Sequence, residues 1–422
     1  MSIITSLHAR EIFDLRGIPT VEVELETENG KFISSVPSGS SKGFYEAKEL
    51  RDNDEKRLYG KGVLKAVNNV NSIIAKELIG KNVLNQKELD DIMINLDGTP
   101  DKSRLGANSI LACSMCIARA AAASKKIPLF KYLAELTGHN QINFPIPFFN
   151  IITGGQHANN GFALQEIMIY PTKVKSFKEA YTIGIEIFHC MKKIIEEKYG
   201  KEWGFISISG GFSPPVYNWN EAFDLVMEAI NKTGNSGKIE LGIDSSASEF
   251  YIKSLKKYDI GFKYPQDLRN NNQLKNSDQL IEEYLRLIEK YPLINFEDPF
   301  DENDWDAWIK FNKILNEKNG KIQVTGDDLT VTNPQRLKIA INKKACNSVI
   351  IKMSQIGTLT ETFETIKIAQ DCGFKVIASH RSGETEDNFI AHLSVGLNCY
   401  QIKTSPLCRT NNELLRLEDI IS

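Results

Sequence analysis

The sequence predicts an α/β protein: a β/α barrel over residues 141–422, preceded by a smaller α+β domain over residues 1–140. Three observations carry that expectation. Short β-rich runs each close on a charged or titratable residue: KIELGID on Asp244, YPLINFED on Glu297 and Asp298, KIQVTGDD on Asp327 and Asp328, NSVIIK on Lys352, FKVIASH on His380, and NCYQIK on Lys403. After the first interval they recur about every 25 to 30 residues, one strand plus one helix, as in a parallel barrel whose tips meet on one rim. Near the N-terminus the pattern is instead an alternating hairpin, and LTGHNQINFPIP, with a glycine and two prolines, marks the crossing between the two regimes.

Taken in order, TVEVELETENGKFISSVP alternates apolar and polar residues on both sides of an Asn29-Gly30 turn. Residues 36–52, VPSGSSKGFYEAKELRD, combine small residues with glycines. They form either a flexible surface turn or a loop that closes over a phosphate or a metal. Helical spacing follows at 62–80 and 86–97, then in the Ala-rich SILACSMCIARAAAA. Cys113 and Cys116 there form a C-x-x-C without a second pair, which fits helix packing better than zinc or redox chemistry. The first barrel segments are NIITGGQHANNGFALQE and FISISGGFSPP. The former carries His157 in a Gly-rich loop and then Gln165 and Glu166 near a strand.

Composition excludes little but orders the alternatives. With 422 residues, 41% hydrophobic and 25% charged, the chain has enough apolar material for two cores. A formal net charge of −3 favours neither nucleic acid nor an anionic membrane as partner. No basic segment followed by an apolar core opens the chain, and no apolar run reaches the roughly 18 to 20 residues of a membrane span. Seven scattered cysteines fit reduced thiols, so a cytoplasmic location is expected.

Asp244, Glu297 and Asp327 at separate tips make an all-oxygen set suited to a hard divalent cation such as Mg²⁺, with Lys352 and Lys403 opposite. Three unpaired carboxylates in one barrel mouth repel, so a metal or a lysine must sit among them.

The motifs that carry a resemblance lie along nearly the whole chain: HAREIFDLRGIPT (8–20), VPSGSSKG (36–43), LDGTPDKSRLGANSIL (96–111), GGQHANN (154–160), LQEIM (164–168), FEDPF (296–300), GDDLTVTNP (326–334), NSVIIKMSQIGTLTE (347–361), SHRSGETED (379–387) and QIKT (401–404). On these residues the chain resembles the enolase (phosphopyruvate hydratase) family. The resemblance implies a TIM-like barrel of enolase type behind an N-terminal capping domain, usually a homodimer acting on a small phosphorylated three-carbon acid. It implies two Mg²⁺ per site. Asp244, Glu297 and Asp327 would hold the first and Ser41 would join the second. Lys352 would be the base at C2 of 2-phosphoglycerate, and Lys403 would hold the substrate carboxylate. Arg381 and Ser382 would bind phosphate, and His157, Gln165, Glu166 and His380 would line the rest of the site. Metals and Lys403 nearby are expected to lower the pKa of Lys352, which must be neutral to act.

One family element is replaced. Where enolases read G-D-E-G-G-F, this chain reads Ser207-Ile208-Ser209-Gly210-Gly211-Phe212, so Ser209 stands in place of the glutamate that helps protonate the departing hydroxide. Other departures are Leu15, Ile18, Lys42, Tyr45, Thr153, Asn159 and Ser405-Pro406. The expectation is a strongly impaired enolase; the alternative is a non-catalytic paralogue acting as a binding or regulatory partner.

Overall fold

Strand β4 (Ile146–Thr153) is where the barrel begins, and seven further strands close it: β5 (Glu166–Pro171), β6 (Ile239–Asp244), β10 (Leu293–Glu297), β11 (Gln323–Gly326), β12 (Ser348–Ile351), β13 (Lys375–Ser379) and β14 (Gln401–Thr404), which pairs back on β4. The computed structural model describes residues 2–139, 141–318 and 320–421. Before the barrel, β1 (Ser6–Phe13), β2 (Pro19–Thr27) and β3 (Gly30–Ser35) form an antiparallel sheet in the order β1-β2-β3. The hairpin turn is Glu28-Asn29, one residue earlier than the Asn29-Gly30 expected, because Thr27 pairs with Gly30. Gly30 opens the next strand at a φ of 121° that other residues rarely adopt.

The inner face of β2, Val21, Val23 and Leu25, is fully buried with the Ala-rich helix Ala107–Ser124. By length and composition that helix is long and apolar enough to cross a membrane, but it lies buried as the shared core of sheet and barrel. Its Cys113 and Cys116 are free and fully buried, and burial pushes both thiols up. The same apolar cluster reaches Val349, Ile351, Val376 and Ala378 of β12 and β13, so the N-terminal sheet rests on the barrel wall. Inside the barrel Phe148, Met168, Tyr170, Ile350 and Ile377 fill the lumen, with Phe148 and Tyr170 stacked at 4.3 Å.

One strand departs from the parallel expectation. β5 runs antiparallel to both β4 and β6. Residues 154–165 connect β4 to β5 with no crossover helix, and a parallel pair cannot be joined that way. The helices this omits follow β5 together, Phe177–Tyr199 and Trp219–Lys232. A second correction concerns FISISGGFSPP. It is no barrel strand but a tight loop in which Phe212 bridges Ile206 and Ile152. Between β6 and the helix Ser277–Lys290 the chain makes an excursion through a small sheet of β7 (Tyr251–Ile252), β8 (Lys257–Asp259) and β9 (Leu274–Lys275).

Candidate active site

Register levels the acids at one rim. Glu166 pairs with Thr153 on one side and Asp244 on the other, and Asp244 pairs with Glu297. Because β5 is antiparallel, its first residue lies beside the last residues of β4 and β6. A carboxylate that begins its strand therefore joins carboxylates that end theirs.

Three buried acids crowd one cation. Lys403 Nζ lies 2.9 Å from Asp244 Oδ2, 2.8 Å from Glu297 Oε2 and 2.9 Å from Glu166 Oε2. Burial alone would depress the lysine, yet the three carboxylates hold its pKa well above the usual value. The acids respond unequally. Burial, with Asp244 adding repulsion, drives Glu297 well above the usual carboxylate range, and burial likewise raises Glu166. Burial opposes ionisation of Asp244 too, but Lys403 and a hydrogen bond from Gln165 Nε2 (3.1 Å) leave it lowered.

Across the mouth, Lys352 Nζ pairs with Asp327 Oδ2. Burial pushes Lys352 down, but contact with Asp327 outweighs this and its pKa is raised. The pair is framed by a relay in which Lys352 N donates to Thr332 Oγ1 (2.9 Å), Thr332 Oγ1 donates to Gln355 Oε1 (2.7 Å), and Gln355 Nε2 donates to Asp327 Oδ1 (2.8 Å). Thr332 and its neighbour Val331 hold positive φ values of 54° and 45°, strained for β-branched residues. Asp298 braces the same tip, accepting from Asp327 N (3.0 Å) and Asp328 N (2.8 Å). Ligand atoms of Asp298, Asp327 and Asp328 all approach within 4.8 Å, but the Asp298 oxygens already accept two backbone donors. Glu297 Oε1 is buried without a partner and is the open oxygen of this set; the Asp244 and Asp327 oxygens are engaged by side chains, Gln165, Lys403, Lys352 and Gln355 among them, which would have to give way to a hard cation.

Ser41, His157, Gln165, Glu166, Ser209, Asp244, Lys352, His380, Arg381, Ser382 and Lys403 all line the one pocket among these residues. Glu297 and Asp327 reach it through the two lysines. Both His157 nitrogens are buried without partners, and burial lowers its pKa to about 4. Burial likewise lowers His380 to about 3, so both rings are neutral at pH 7. Loop 36–52 is docked: Ser40 N donates to Ser382 Oγ (2.8 Å), Arg381 Nη2 to Ser41 O (3.3 Å), and Arg381 Nη1 to Glu46 Oε2 (3.2 Å).

On the third side stands Ser209, whose Oγ is 3.3 Å from Thr153 Oγ1. Asn150 Nδ2 faces Thr153 Oγ1 (3.0 Å), Glu166 Oε1 (3.1 Å) and Ser209 O (3.2 Å). The loop passes close enough that a Cβ on Gly211 would lie 2.8 Å from Asn150 Oδ1. Asn150, Thr332, Gln355 and Glu46 were not singled out from the sequence. Only their places inside the quoted motifs, or in β4 for Asn150, could have flagged them.

Two family models match the chain, "Enolase, N-terminal domain" over residues 4–133 and "Enolase, C-terminal TIM barrel domain" over residues 141–422. "Enolase 1" of Entamoeba histolytica is 56% identical over 421 residues, covering 99% of this chain and 96% of that protein. "Enolase" of Mastigamoeba balamuthi is 49% identical over 424 residues, with the same coverage of each.

Proposed function

Since the chain belongs to the enolase family along essentially its whole length, we propose that its barrel mouth binds Mg²⁺ with 2-phosphoglycerate or phosphoenolpyruvate and interconverts them slowly. Family membership supports dehydration of 2-phosphoglycerate as the reaction. The finer reading, slow turnover, is supported by one contrast: buried acids and lysines stand opposite a serine at the position of a proton donor.

Asp244, Glu297 and Asp327 would hold the cation, with Ser41 available to a second. Bound there, Mg²⁺ would supply positive charge to a substrate carboxylate that gains negative charge as its neighbouring proton leaves. Arg381, Ser382 and His380 would receive the phosphate, and Lys403 the carboxylate. Lys352 would take the C2 proton, which requires it to be neutral. Asp327 is the chief group keeping it charged, and with that carboxylate engaged elsewhere, burial and the nearby Arg381 and Lys403 push its pKa down.

The second half of the reaction expels hydroxide from C3. Ser209 has almost no acidity near neutral pH, and loss of a positioned general acid costs about 10²–10⁴ in rate. Proton removal should therefore outlast net dehydration. In D₂O with Mg²⁺, 2-phosphoglycerate should exchange its C2 hydrogen faster than phosphoenolpyruvate accumulates; turnover at an ordinary enolase rate in a coupled assay would overturn the impairment. The homodimer and cytoplasmic location implied by the resemblance belong to this reading, and sedimentation of the purified chain tests the former.

A further inference from the structure

His157 reaches the pocket from a loop that no helix or strand holds. Residues 154–165 carry one short turn, Gly155–His157, and both ring nitrogens of His157 depend on that backbone for their aim. Backbone bonds close the base of the loop, Gly154 N to Gln165 O (2.9 Å) and Gly155 N to Phe162 O (2.8 Å), and the excursion between β6 and β10 grips it from outside around His157. Lys263 Nζ donates to Gly155 O (2.5 Å) and to Ala158 O, the carbonyls on either side of His157. Glu249 Oε2 accepts from Gln156 N at 3.2 Å. Tyr264 Oη donates to Tyr217 O at 2.8 Å, and the Tyr217 ring lies so near Gly161 that a Cβ there would sit 2.0 Å from it. From within, Asn160 Nδ2 donates to Thr153 O and Pro214 O.

Lys263 is an unusual clamp. Its half-buried ammonium spends two donors on neutral carbonyls, and burial lowers its pKa, with Glu249 opposing. A charged donor is roughly twice as strong as a neutral one and fixes both carbonyls with a single atom. The excursion behind it is itself braced: Asp259 is paired with Arg269 and accepts from Gly261 N (3.1 Å), and Phe262 stacks on Phe250 at 5.9 Å.

We propose that Lys263 is the positioning residue for His157, latching the 154–165 loop to the β6–β10 excursion so that the imidazole faces the bound phosphorylated acid. The role of His157 toward that acid rests on the functional reading above; the latch does not. In Lys263→Met, hydrogen–deuterium exchange of amides 155–160 should quicken by about tenfold or more, and Mg²⁺-dependent affinity for phosphoenolpyruvate should fall by about tenfold, while the melting temperature stays put. Lys253→Met, which removes the same charge from an exposed turn of the same excursion, should change none of these. If the Met variant folds poorly, Glu249→Ala tests the other side of the latch by the same local exchange. Unchanged exchange at 155–160 in Lys263→Met, or in Glu249→Ala where it stands in for a poorly folded Met variant, overturns the latch, as does exchange that quickens throughout the chain in both. A native protein that takes up no phosphoenolpyruvate overturns the functional reading and leaves the exchange result to decide the latch alone.

Discussion

Two sides of the same pocket differ in how they are built. Lys352, Lys403, Asp244, Glu297 and Asp327 sit at or just past strand ends, held by barrel register and by carboxylate–lysine pairs. Ser209 and His157 sit on loops, and Ile208, Thr153 and Asn159, which with Ser209 the resemblance marks as departures, border this side. The strand tips cannot change one charge without stranding the others in a buried cluster, at a cost of about 3–5 kcal/mol for a broken buried pair. The loop residues carry no such mutual dependence: Ser209 meets Thr153 and Asn150 through neutral contacts, and Ile208 is 49% exposed. Charge coupling thus sets the strand-tip side apart from the loop side, where the proposed reading puts the replaced proton donor.

The comparison breaks if proton abstraction is not the surviving half. Lys352→Ala should slow C2 hydrogen exchange of 2-phosphoglycerate by about 10²–10⁴, the usual worth of a positioned base. Exchange that persists in this variant would move the base elsewhere. Next in size is restoration of the altered side. Ile208→Asp with Ser209→Glu should raise net dehydration by about 10² while C2 exchange changes little, because the new carboxylate acts only on the leaving hydroxyl. Little gain would shift the shortfall to the loops that carry Lys42 and Asn159.

Metal tests the strand side directly. At a Mg²⁺ concentration of about 100 times the dissociation constant, binding to the native state alone adds roughly 2.7 kcal/mol of stability, visible as a higher melting temperature than in EDTA. Glu297→Gln removes the charge of the carboxylate whose Oε1 is buried without a partner, and it should abolish most of that rise. A full rise in Glu297→Gln would place the cation with Asp298, Asp327 and Asp328 instead.

Much of this site was legible because a charged residue ending an apolar run has few structural uses, and a rim ligand is one of them. The tips from Asp244 to Lys403 were found on that ground. Strand direction was not legible, since an apolar run reads the same both ways, so Glu166 could be noticed but not levelled with Asp244. FISISGGFSPP alternates like a strand, yet Gly210 and Gly211 turn it into a loop that fits closely against Ser405 and Thr153. That Lys352 pairs with Asp327 rather than with another rim acid was not legible, because which tips meet depends on how the barrel closes. Lys263 and Glu249 left no signal at all: their partners are backbone atoms of a distant loop, and backbone atoms have no letters.

A hydrogen-bonded pair remote from the rim separates general electrostatic stability from the site. His392 Nε2 lies 3.2 Å from Glu413 Oε1, joining the helices Phe389–Gly396 and Thr410–Ile421. The His392 hydrogen bond, against opposing burial and with help from Arg416, holds the Glu413 carboxyl down to about 2. A folded pKa below the unfolded value means that this stability is present above the unfolded carboxylate range and is lost as pH falls toward about 2. Both side chains are largely buried, 12% and 13% exposed, so His392→Leu should cost about 1–3 kcal/mol in urea unfolding at pH 6. The difference from the native chain should shrink as the pH approaches 2. The Mg²⁺-induced rise in melting temperature should survive in this variant undiminished, because nothing at the barrel mouth depends on the pair. A smaller rise would mean that the C-terminal helix and the strand tips share one electrostatic unit, and the division between intact tips and altered loops would then have to be redrawn to include it.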